Sequence, residues 1–250
     1  MTYTFPKVLQ PVTTHYCAGC GHGVAHRLIA EVVEELNIRG RCLAVAPVGC
    51  AVLAYDYWKL DVTEAAHGRA PAVATGMRRC NPDKVVFTYQ GDGDLAAIGA
   101  GEVVNAANRG ELISIFFINN ATYGMTGGQM APTTMLGQRT TTSPQGRATR
   151  AEGWPMRVVE MLAQLGGTAY AARCALDTPA HIRQARAAIK KAFEVQLAGI
   201  GFAIVELLSA CPVGWGLTPV AAMRAIGSQM IPQFPLGIIK DVDLNAEPAG

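Results

Sequence analysis

The sequence predicts an α/β protein whose parallel sheet carries helices on both faces. Short apolar segments without polar–apolar alternation are typical of strands buried on both sides, and here amphipathic segments of helical length separate them. Half of the 250 residues are hydrophobic and only 16% are charged, so the chain can bury a large core. We expect a single domain over residues 1–250.

Four segments are predicted as strands because they are continuously apolar and contain β-branched or aromatic residues. They are CLAVAPV at 42–48, KVVFTYQ at 84–90, LISIFFI at 112–118 and GFAIVELLS at 201–209. The first three end directly before Gly49, Gly91 and Asn119.

Four segments are predicted as helices. They cover residues 23–36, 95–110, 153–167 and 178–196. The first carries one broad apolar stripe, and the second ends at Gly110. The third has Pro155 near its start, and the fourth has Asp177 or Thr178 as its N-cap and Pro179 at its first position.

Two segments have no clear periodicity. Residues 121–152 are rich in Gly, Thr and Pro, and a loop this long in a compact domain is usually functional or ordered by a partner. From about residue 212 onwards the prolines predict an extended C-terminal tail, which we expect to pack across another chain.

The composition excludes several classes of function. A formal net charge of +2 is too small to indicate nucleic acid or an anionic membrane as a partner. The start MTYTFPKVLQP lacks the features of a signal peptide, and the apolar run at 112–118 is far too short for a membrane span. We therefore expect a cytoplasmic protein whose seven cysteines are thiols or metal ligands rather than disulfides.

The stretch GDGD at 91–94 follows a predicted strand and precedes a predicted helix. Gly91 and Gly93 allow the backbone to approach an anion, and the helix N-terminus supplies N–H donors toward phosphate. Asp92 has the same sign of charge as phosphate, which makes sense if a divalent cation lies between them. A tight turn with a helix-capping aspartate is the structural alternative.

Asn119 and Asn120 follow the next predicted strand. Because neighbouring parallel strands end at the same edge of a sheet, we expect Asn120 to lie beside Asp92. An amide oxygen and a carboxylate are hard ligands suited to Mg²⁺. Two asparagines alone are also a turn signal, but the two features together are specific.

Residues 91–120 resemble the thiamine diphosphate motif, in which GDG is followed one strand later by NN. The resemblance implies a thiamine diphosphate-binding fold, with Asp92, Asn120 and the backbone oxygen of Thr122 as Mg²⁺ ligands. It also implies that residues of the same segments line the diphosphate. These are Gly91, Gly93, Asp94, Tyr123 and Gly124.

A second group of candidate ligands is formed by cysteines. THYCAGCGHGVAH at 14–26 places Cys17 and Cys20 three apart, a spacing that can hold zinc, form a redox pair, close a disulfide or bind an iron–sulfur cluster. Cys50 and Cys211 each follow a predicted strand, so both are expected at the sheet edge that carries GDGD and NN.

The remaining cysteines are expected to be structural. Cys42 begins the strand that ends before Cys50, and a strand of that length separates them by about 26 Å at about 3.3 Å per residue. Cys42 therefore cannot share a site with Cys50. Cys80 and Cys174 have neither a neighbouring thiol nor a motif.

Six motifs in the same order resemble the beta subunit of the 2-oxoacid:ferredoxin oxidoreductases over residues 10–215. They are CAGCGH, PVGC, HGRAPAVATGM, the GDGD–NN pair, YGMTGGQMAPTT and SACP. The resemblance implies that a [4Fe–4S] cluster lies beside the thiamine, with four cysteine ligands. These are Cys17, Cys20, Cys50 and Cys211. It further implies that Val48, Gly49, Cys50 and Ala51 contact the cofactor and that His67 reaches it.

Four thiolates also suit Zn²⁺. Structural zinc sites usually take two close pairs from one small module, whereas these cysteines are spread from residue 17 to residue 211. A thioredoxin-like dithiol is disfavoured because no strand leads into Cys17. His22 either hydrogen-bonds near the cluster or caps the helix, and His26 and His181 are expected to be ordinary surface or core residues.

The resemblance implies CoA-dependent oxidative decarboxylation of a 2-oxoacid to acyl-CoA and CO₂, with electrons passing through the cluster to ferredoxin. This chain offers no candidate for the glutamate that activates thiamine, and the resemblance places that residue on an alpha subunit. Gamma and delta subunits are further candidate partners. We predict that the isolated chain is inactive and binds thiamine weakly.

The substrate class rests on one loop. Relatives that take 2-oxoglutarate can carry a lysine after the YGxT threonine, where this chain has Gly127. A missing cation disfavours an acidic substrate, and the loop resembles that of members that use branched-chain 2-oxoacids, the class we favour. Arg139 and Arg147 in the same loop keep 2-oxoglutarate as the alternative.

Two other classes of function are open. A non-oxidative thiamine decarboxylase or synthase would use Asp92 and Asn120 but not the four cysteines. A zinc-stabilised assembly subunit would use the cysteines but not the GDGD–NN pair. The presence of both sets in one chain disfavours each.

Overall fold

The computed structural model describes residues 4–244. These residues form one seven-stranded sheet in the order β2-β1-β3-β4-β6-β5-β7. The strands are β1 (Cys42–Pro47), β2 (Asp61–Ala65), β3 (Val85–Gly91), β4 (Ser114–Asn119), β5 (Thr168–Ala175), β6 (Phe202–Leu208) and β7 (Gly237–Lys240). All pairs are parallel except β5 with β7, which confirms the predicted α/β class.

Helices cover both faces of the sheet. They are α1 (His22–Glu35), α2 (Ala54–Tyr57), α3 (Ala70–Cys80), α4 (Ala100–Asn108), α5 (Thr149–Glu152), α6 (Val158–Ala163), α7 (Pro179–Leu197), α8 (Pro212–Trp215), α9 (Pro219–Ala225) and α10 (Ile231–Gln233). Apolar residues of α1 and α7 form the core on one face, and those of α3, α4 and α6 form the core on the other. The two-sided burial explains why the central strands are apolar throughout.

The four predicted strands are all present, as β1, β3, β4 and β6. The predicted helix 23–36 is α1, and the predicted helix 178–196 is α7, for which Thr178 rather than Asp177 is the N-cap. The Thr178 hydroxyl accepts a hydrogen bond from the backbone N–H of His181 at 3.2 Å. The predicted helix 95–110 begins with a π-helical turn at Asp94–Ile98 and continues as α4.

The predicted helix 153–167 was wrong at its start. Within this range the structure has only the short α6, which begins at Val158. Gly153 has φ of +73°, which ends α5. The Met156 N–H donates to the Pro132 carbonyl at 2.9 Å, so the chain around Pro155 runs along the long loop instead of coiling.

The predicted extended tail was also wrong. Residues from Pro212 to Gln233 form α8, α9, a π-helical turn and α10, and only then does β7 follow. Ala222, Ile226, Met230 and Phe234 are buried in an apolar cluster with residues of this same chain. Pro212 and Pro219 are the first residues of α8 and α9, where a missing N–H costs nothing. The single-domain expectation stays a prediction, since residues 1–3 and 245–250 lie outside the described part.

Arg147 organises the long loop that has no periodicity. Its guanidinium is buried and donates hydrogen bonds of 2.7 to 3.3 Å to six backbone carbonyls. The acceptors are Ala131, Pro132, Thr134, Glu152, Gly153 and Trp154. Arg147 therefore holds two stretches of the loop together, and its charge is directed at the backbone.

Replacing Arg147 with methionine is expected to destabilise the chain by about 2–3 kcal/mol, because six backbone carbonyls lose a donor and those of Ala131 and Thr134 are buried. Thermal unfolding measures the loss, and limited proteolysis locates it within residues 131–154. Arg139→Met is the control, since Arg139 is exposed in the same loop. Equal unfolding temperatures for the two variants would show that Arg147 does not hold the two stretches of the loop together.

Across residues 4–244 the helices are too short or too polar for any one of them to cross a lipid bilayer.

Candidate functional site

The candidate site lies at the carboxyl edge of four adjacent strands. In the sheet, β1 pairs with β3, β3 with β4, and β4 with β6. Gly91 lies opposite Ile118, and Asn119 lies opposite Leu208, so these strands end at the same level. Each is followed within three residues by a predicted ligand. These are Cys50 after β1, Asp92 after β3, Asn120 after β4 and Cys211 after β6.

A pocket at this edge contains nearly all of the predicted cofactor residues. It is lined by His22, Val48, Gly49, Cys50, His67, Gly91, Asp92, Gly93, Asp94, Asn120, Thr122, Tyr123, Gly124, Met125 and Thr126. Ala51 is the exception, because it is buried in the core and does not line the pocket. Most residues that line the pocket were therefore among those singled out from the sequence. His22, Met125 and Thr126 also line it but were not among the predicted cofactor contacts.

Asp92 is held by neutral donors. Its carboxylate accepts hydrogen bonds from the Thr133 hydroxyl at 2.5 Å and from the Gly93 N–H at 2.8 Å. Burial raises the pKa of the Asp92 carboxyl to about 7, although these hydrogen bonds oppose the shift. A divalent cation would favour the ionised carboxylate, so the donor set fits a magnesium ligand.

Asn120 and Thr122 are buried beside Asp92, in the loop that follows β4. The backbone carbonyl of Asn120 accepts a hydrogen bond from the Trp215 indole N–H at 2.8 Å. The Thr122 hydroxyl donates to the Gln129 carbonyl at 2.9 Å. These contacts anchor the loop on both sides, and Trp215 and Thr133 are positioning residues that sequence reasoning missed.

His67 is oriented by two acceptors. Its Nδ1 lies 2.8 Å from Asp94 Oδ1 and 3.0 Å from the Val48 carbonyl oxygen. Since both neighbours accept, Nδ1 carries the proton, and Nε2 is the ring nitrogen that can meet a ligand. Asp94 also accepts hydrogen bonds from Gln90 Nε2 at 2.5 Å and from the Gly68 N–H at 2.6 Å, which fix the carboxylate that orients the His67 ring.

The four predicted cluster cysteines come together beside the pocket. Cys17 and Cys20 lie on one turn, in which the Cys20 N–H donates to the Cys17 carbonyl at 3.0 Å. Burial raises the pKa of Cys20 to about 12 and of Cys50 to about 11, with smaller contributions from the neighbouring thiolates, Cys211 among them. Thiols in such surroundings ionise when metal ions supply positive charge, which fits a metal cluster.

The spacing of these thiols differs from that of a single-ion site. Within residues 4–244, no three His, Cys, Asp or Glu side chains are close enough to bind one metal ion together. All seven cysteines are free thiols. Cys42 lies buried at the start of β1, Cys80 is exposed at the end of α3, and Cys174 is buried in β5.

Histidine and tyrosine side chains pack behind the cysteine turn. The His22 ring stacks on Tyr16, with centroids 4.6 Å apart, and its Nδ1 lies 2.6 Å from the Tyr89 hydroxyl. His26 Nε2 lies 2.9 Å from the Tyr16 hydroxyl. Burial lowers the pKa of His22 to about 3, so this ring is neutral. His22 therefore lies near the thiols and does not cap α1, and His26 is a core residue.

Gly93 is required by a close approach. A Cβ at this position would overlap the Tyr123 ring, whose hydroxyl donates to the Gly93 carbonyl at 3.0 Å. This contact closes one wall of the pocket. Gly124 forms another wall, because a Cβ there would lie 3.2 Å from Cys211 Sγ and 3.6 Å from Cys50 Sγ.

Replacing Gly93 with alanine is expected to displace Tyr123 at a cost of about 1–3 kcal/mol. The affinity for thiamine diphosphate with Mg²⁺ should fall by about tenfold, since 1.4 kcal/mol corresponds to a factor of ten. Isothermal titration of the assembled protein measures it. Gly101→Ala is the matched control, because a Cβ there meets no atom within 4 Å. Unchanged affinity in Gly93→Ala would show that Tyr123 does not shape the site.

Comparisons with known proteins match both a family model and individual relatives to this chain. Residues 48–207 match the family model described as thiamine pyrophosphate enzyme, C-terminal TPP binding domain. The chain is 49% identical over 238 residues to the ketoisovalerate oxidoreductase subunit VorA of Methanothermobacter thermautotrophicus, a match that covers 95% of this chain and 50% of VorA. It is 35% identical over 233 residues to the 2-oxoglutarate synthase subunit KorB of Methanocaldococcus jannaschii, covering 93% of this chain and 82% of KorB.

A solved structure has the same fold. It is the 2-oxoglutarate:ferredoxin oxidoreductase from Magnetococcus marinus with 2-oxoglutarate, coenzyme A and succinyl-CoA bound. The TM-score is 0.78 at 24% identity, and the match covers 99% of this chain and 88% of that chain. At this identity the likeness concerns the fold.

The fold and the site define a thiamine diphosphate-binding subunit. Within that class, the chain belongs to the family of 2-oxoacid oxidoreductase subunits that includes VorA and KorB, as its motifs predicted. The chain spans about half the length of the VorA relatives that it matches.

Proposed function

We propose that this chain is the thiamine diphosphate-binding beta subunit of a 2-oxoacid:ferredoxin oxidoreductase. In this reaction a 2-oxoacid is decarboxylated oxidatively, coenzyme A takes the acyl group, and ferredoxin takes the electrons. The observation that carries the proposal is the single sheet edge at which β1, β3, β4 and β6 present Cys50, Asp92, Asn120 and Cys211. Electron transfer requires that the organic cofactor and the redox centre lie close together, and the position of the candidate ligands of both at this edge supports the proposal.

Thiamine diphosphate, when bound, is the electron sink that makes decarboxylation possible. We assign Asp92, Asn120 and the Thr122 carbonyl to the Mg²⁺ that joins the chain to the diphosphate. Their burial and their oxygen donors support this assignment. His67 presents Nε2 to the pocket, and Gly93 with Tyr123 shapes the wall against the diphosphate.

The four thiols Cys17, Cys20, Cys50 and Cys211 are assigned to a [4Fe–4S] cluster. Two features support this over a single zinc ion. Cys17, Cys50 and Cys211 lie close enough to Cys20 to contribute to the raised pKa of its thiol, and Cys50 and Cys211 lie beside Gly124, which also lines the cofactor pocket.

A branched-chain 2-oxoacid is the proposed substrate. Among the described residues, no lysine or arginine lines the pocket, whereas Met125 and Val48 do. Arg147 is bound to backbone carbonyls, and Arg139 is exposed away from the lining, so neither supports pairing with a distal carboxylate. The higher identity to VorA than to KorB favours the same class, and 2-oxoglutarate is the competing substrate.

Partner subunits complete the proposed enzyme. The pocket contains no glutamate among the described residues, so the thiamine-activating carboxylate is assigned to an alpha subunit. Ferredoxin is the proposed acceptor, and the cytoplasmic location expected from composition stays a prediction, as do the gamma and delta subunits.

The deciding experiment is analysis of the anaerobically purified complex for iron, sulfide, zinc and thiamine, with an EPR spectrum after reduction. We expect about four irons for this subunit beyond those assigned to partners, together with thiamine. Turnover is then compared for 3-methyl-2-oxobutanoate and 2-oxoglutarate with coenzyme A and ferredoxin. Zinc in place of iron, or thiamine without iron, would refute the assignment as an oxidoreductase. A preference for 2-oxoglutarate would refute only the proposed branched-chain substrate.

A further inference from the structure

We propose that a network formed by Glu160, Arg173, Glu206 and Asn119 positions the residues that hold the divalent cation. The network lies behind residues 120–122, the loop after β4 that we call the cation loop, and its centre is buried. None of the four side chains lines the pocket. The proposal rests on the thiamine diphosphate–Mg²⁺ site proposed above. It assigns a role to Glu160, Arg173 and Glu206, which belong to none of the motifs, and to Asn119, the motif residue to which no role has been given.

The centre of the network is an ion pair within the sheet. Arg173 on β5 and Glu206 on β6 are register neighbours, both side chains are fully buried, and Arg173 Nε lies 2.7 Å from Glu206 Oε2. The outer nitrogens of Arg173 bind the Glu160 carboxylate on α6 at 2.8 and 2.5 Å. Desolvating such a pair costs much of what its attraction returns, so stability alone is a weak reason for it in an apolar sheet.

The free side of Glu206 points to the cation loop. Glu206 Oε1 accepts a hydrogen bond from Asn119 Nδ2 at 2.6 Å. A carboxylate can only accept, so it fixes which way the Asn119 amide faces. Asn119 Oδ1 is thereby directed at the Ala121 N–H, which donates to it at 3.1 Å.

Ala121 is the point at which the network acts on the ligands. It is buried between Asn120 and Thr122 and has φ of +57°, a left-handed conformation that residues other than glycine rarely adopt. Its N–H also interacts with the Asp92 carboxylate. Asn119 therefore holds the strained residue whose backbone sets the directions of Asn120 and Thr122 and touches Asp92.

Two variants interrupt the network at different points. The double variant Arg173→Met with Glu206→Leu removes both charges, and apolar residues of similar volume often replace a buried ion pair without loss of stability. It deprives Asn119 Nδ2 of its acceptor. Asn119→Ala leaves the ion pair in place and removes the partner of the Ala121 N–H, so it tests the proposal even if the double variant does not fold.

The experiment measures Mn²⁺ binding to the assembled protein in the presence of thiamine diphosphate. The EPR signal of free Mn²⁺ reports how much of the ion stays unbound. We expect each variant to bind Mn²⁺ about 10–100-fold more weakly, the loss typical of residues that orient metal ligands. Glu111→Gln is the matched control. Glu111 is a buried carboxylate bound by Arg79 and Arg109 near the amino end of β4, opposite to the site.

The control should unfold at a lower temperature but bind Mn²⁺ as the wild type does. Folded network variants with wild-type Mn²⁺ affinity would overturn the positioning role while leaving the cofactor site intact. An equal loss of affinity in Glu111→Gln would also overturn it, because general destabilisation would then explain the effect. A wild-type protein that binds no Mn²⁺ with thiamine diphosphate would overturn the cofactor site and this proposal together.

Discussion

Replacing Cys50 or Cys211 with alanine is expected to remove the proposed iron–sulfur cluster and leave thiamine diphosphate bound. Each thiol would be one of four ligands, and neither provides an oxygen to the proposed Mg²⁺ site. Iron should fall from about four per chain to nearly none, because a cluster that lacks a thiolate ligand is poorly retained. Iron and sulfide analysis of the anaerobic complex, with EPR after reduction, measures the loss, and turnover with ferredoxin should disappear with it.

Two other cysteines serve as controls for this result. Cys80→Ala changes an exposed thiol at the end of α3, and Cys42→Ala changes a buried thiol at the start of β1, the opposite end of the strand that precedes Cys50. Both should retain full iron content. Retention of iron by Cys50→Ala and Cys211→Ala as well would show that the thiols do not hold the cluster.

Replacing Asp92 with asparagine is expected to weaken Mg²⁺-dependent binding of thiamine diphosphate by more than about 100-fold. The reason is that a direct ligand contributes more than the about 10–100-fold attributed to residues that only orient ligands. The buried carboxylate has neutral partners, so the cation is its proposed countercharge. Equilibrium dialysis of the assembled protein at several Mg²⁺ concentrations measures the affinity.

Asp83→Asn is the matched control, because Asp83 is exposed just before β3, at the other end of the strand that leads to Asp92. It should leave binding unchanged. Thr133→Val removes the hydroxyl that donates a hydrogen bond to Asp92 but leaves the carboxylate in place. We therefore expect a loss of affinity for thiamine diphosphate between those of Asp83→Asn and Asp92→Asn. Full affinity in Asp92→Asn would remove this residue from the cation site, and the iron content of the variant shows whether the cluster is independent of it.

Local sequence signals predicted the central strands well because these strands are buried on both faces and therefore continuously apolar. β5 was missed because its sequence TAYAARCA is rich in alanine and contains Arg173, whose burial depends on Glu206 and Glu160. β2 was missed because an edge strand exposes polar side chains. The start of the helix predicted at 153–167 failed because Arg147 and Pro132 bind that backbone instead.

The candidate site was likewise predictable only in part. The positions of candidate ligands that directly follow strands were predictable, because parallel strands end at one edge and Asp92 and Asn120 lie there. Thr133 and Trp215 were not, because Thr133 reaches Asp92 from the aperiodic loop and Trp215 reaches the Asn120 carbonyl from α8, each across a long separation in sequence. No local spacing marks such a contact.

The sequence by itself determined the class of fold, the family and the candidate ligands of the proposed cofactor site. These properties lie in the order of strands, glycines, carboxamides and thiols along the chain. Only the tertiary structure decided how the ligands are held: by Thr133 on Asp92, by Asn119 on Ala121, and by the buried pair of Arg173 and Glu206 behind them. The physical reason is that these contacts depend on burial and on the register of neighbouring strands, both of which arise when distant segments pack.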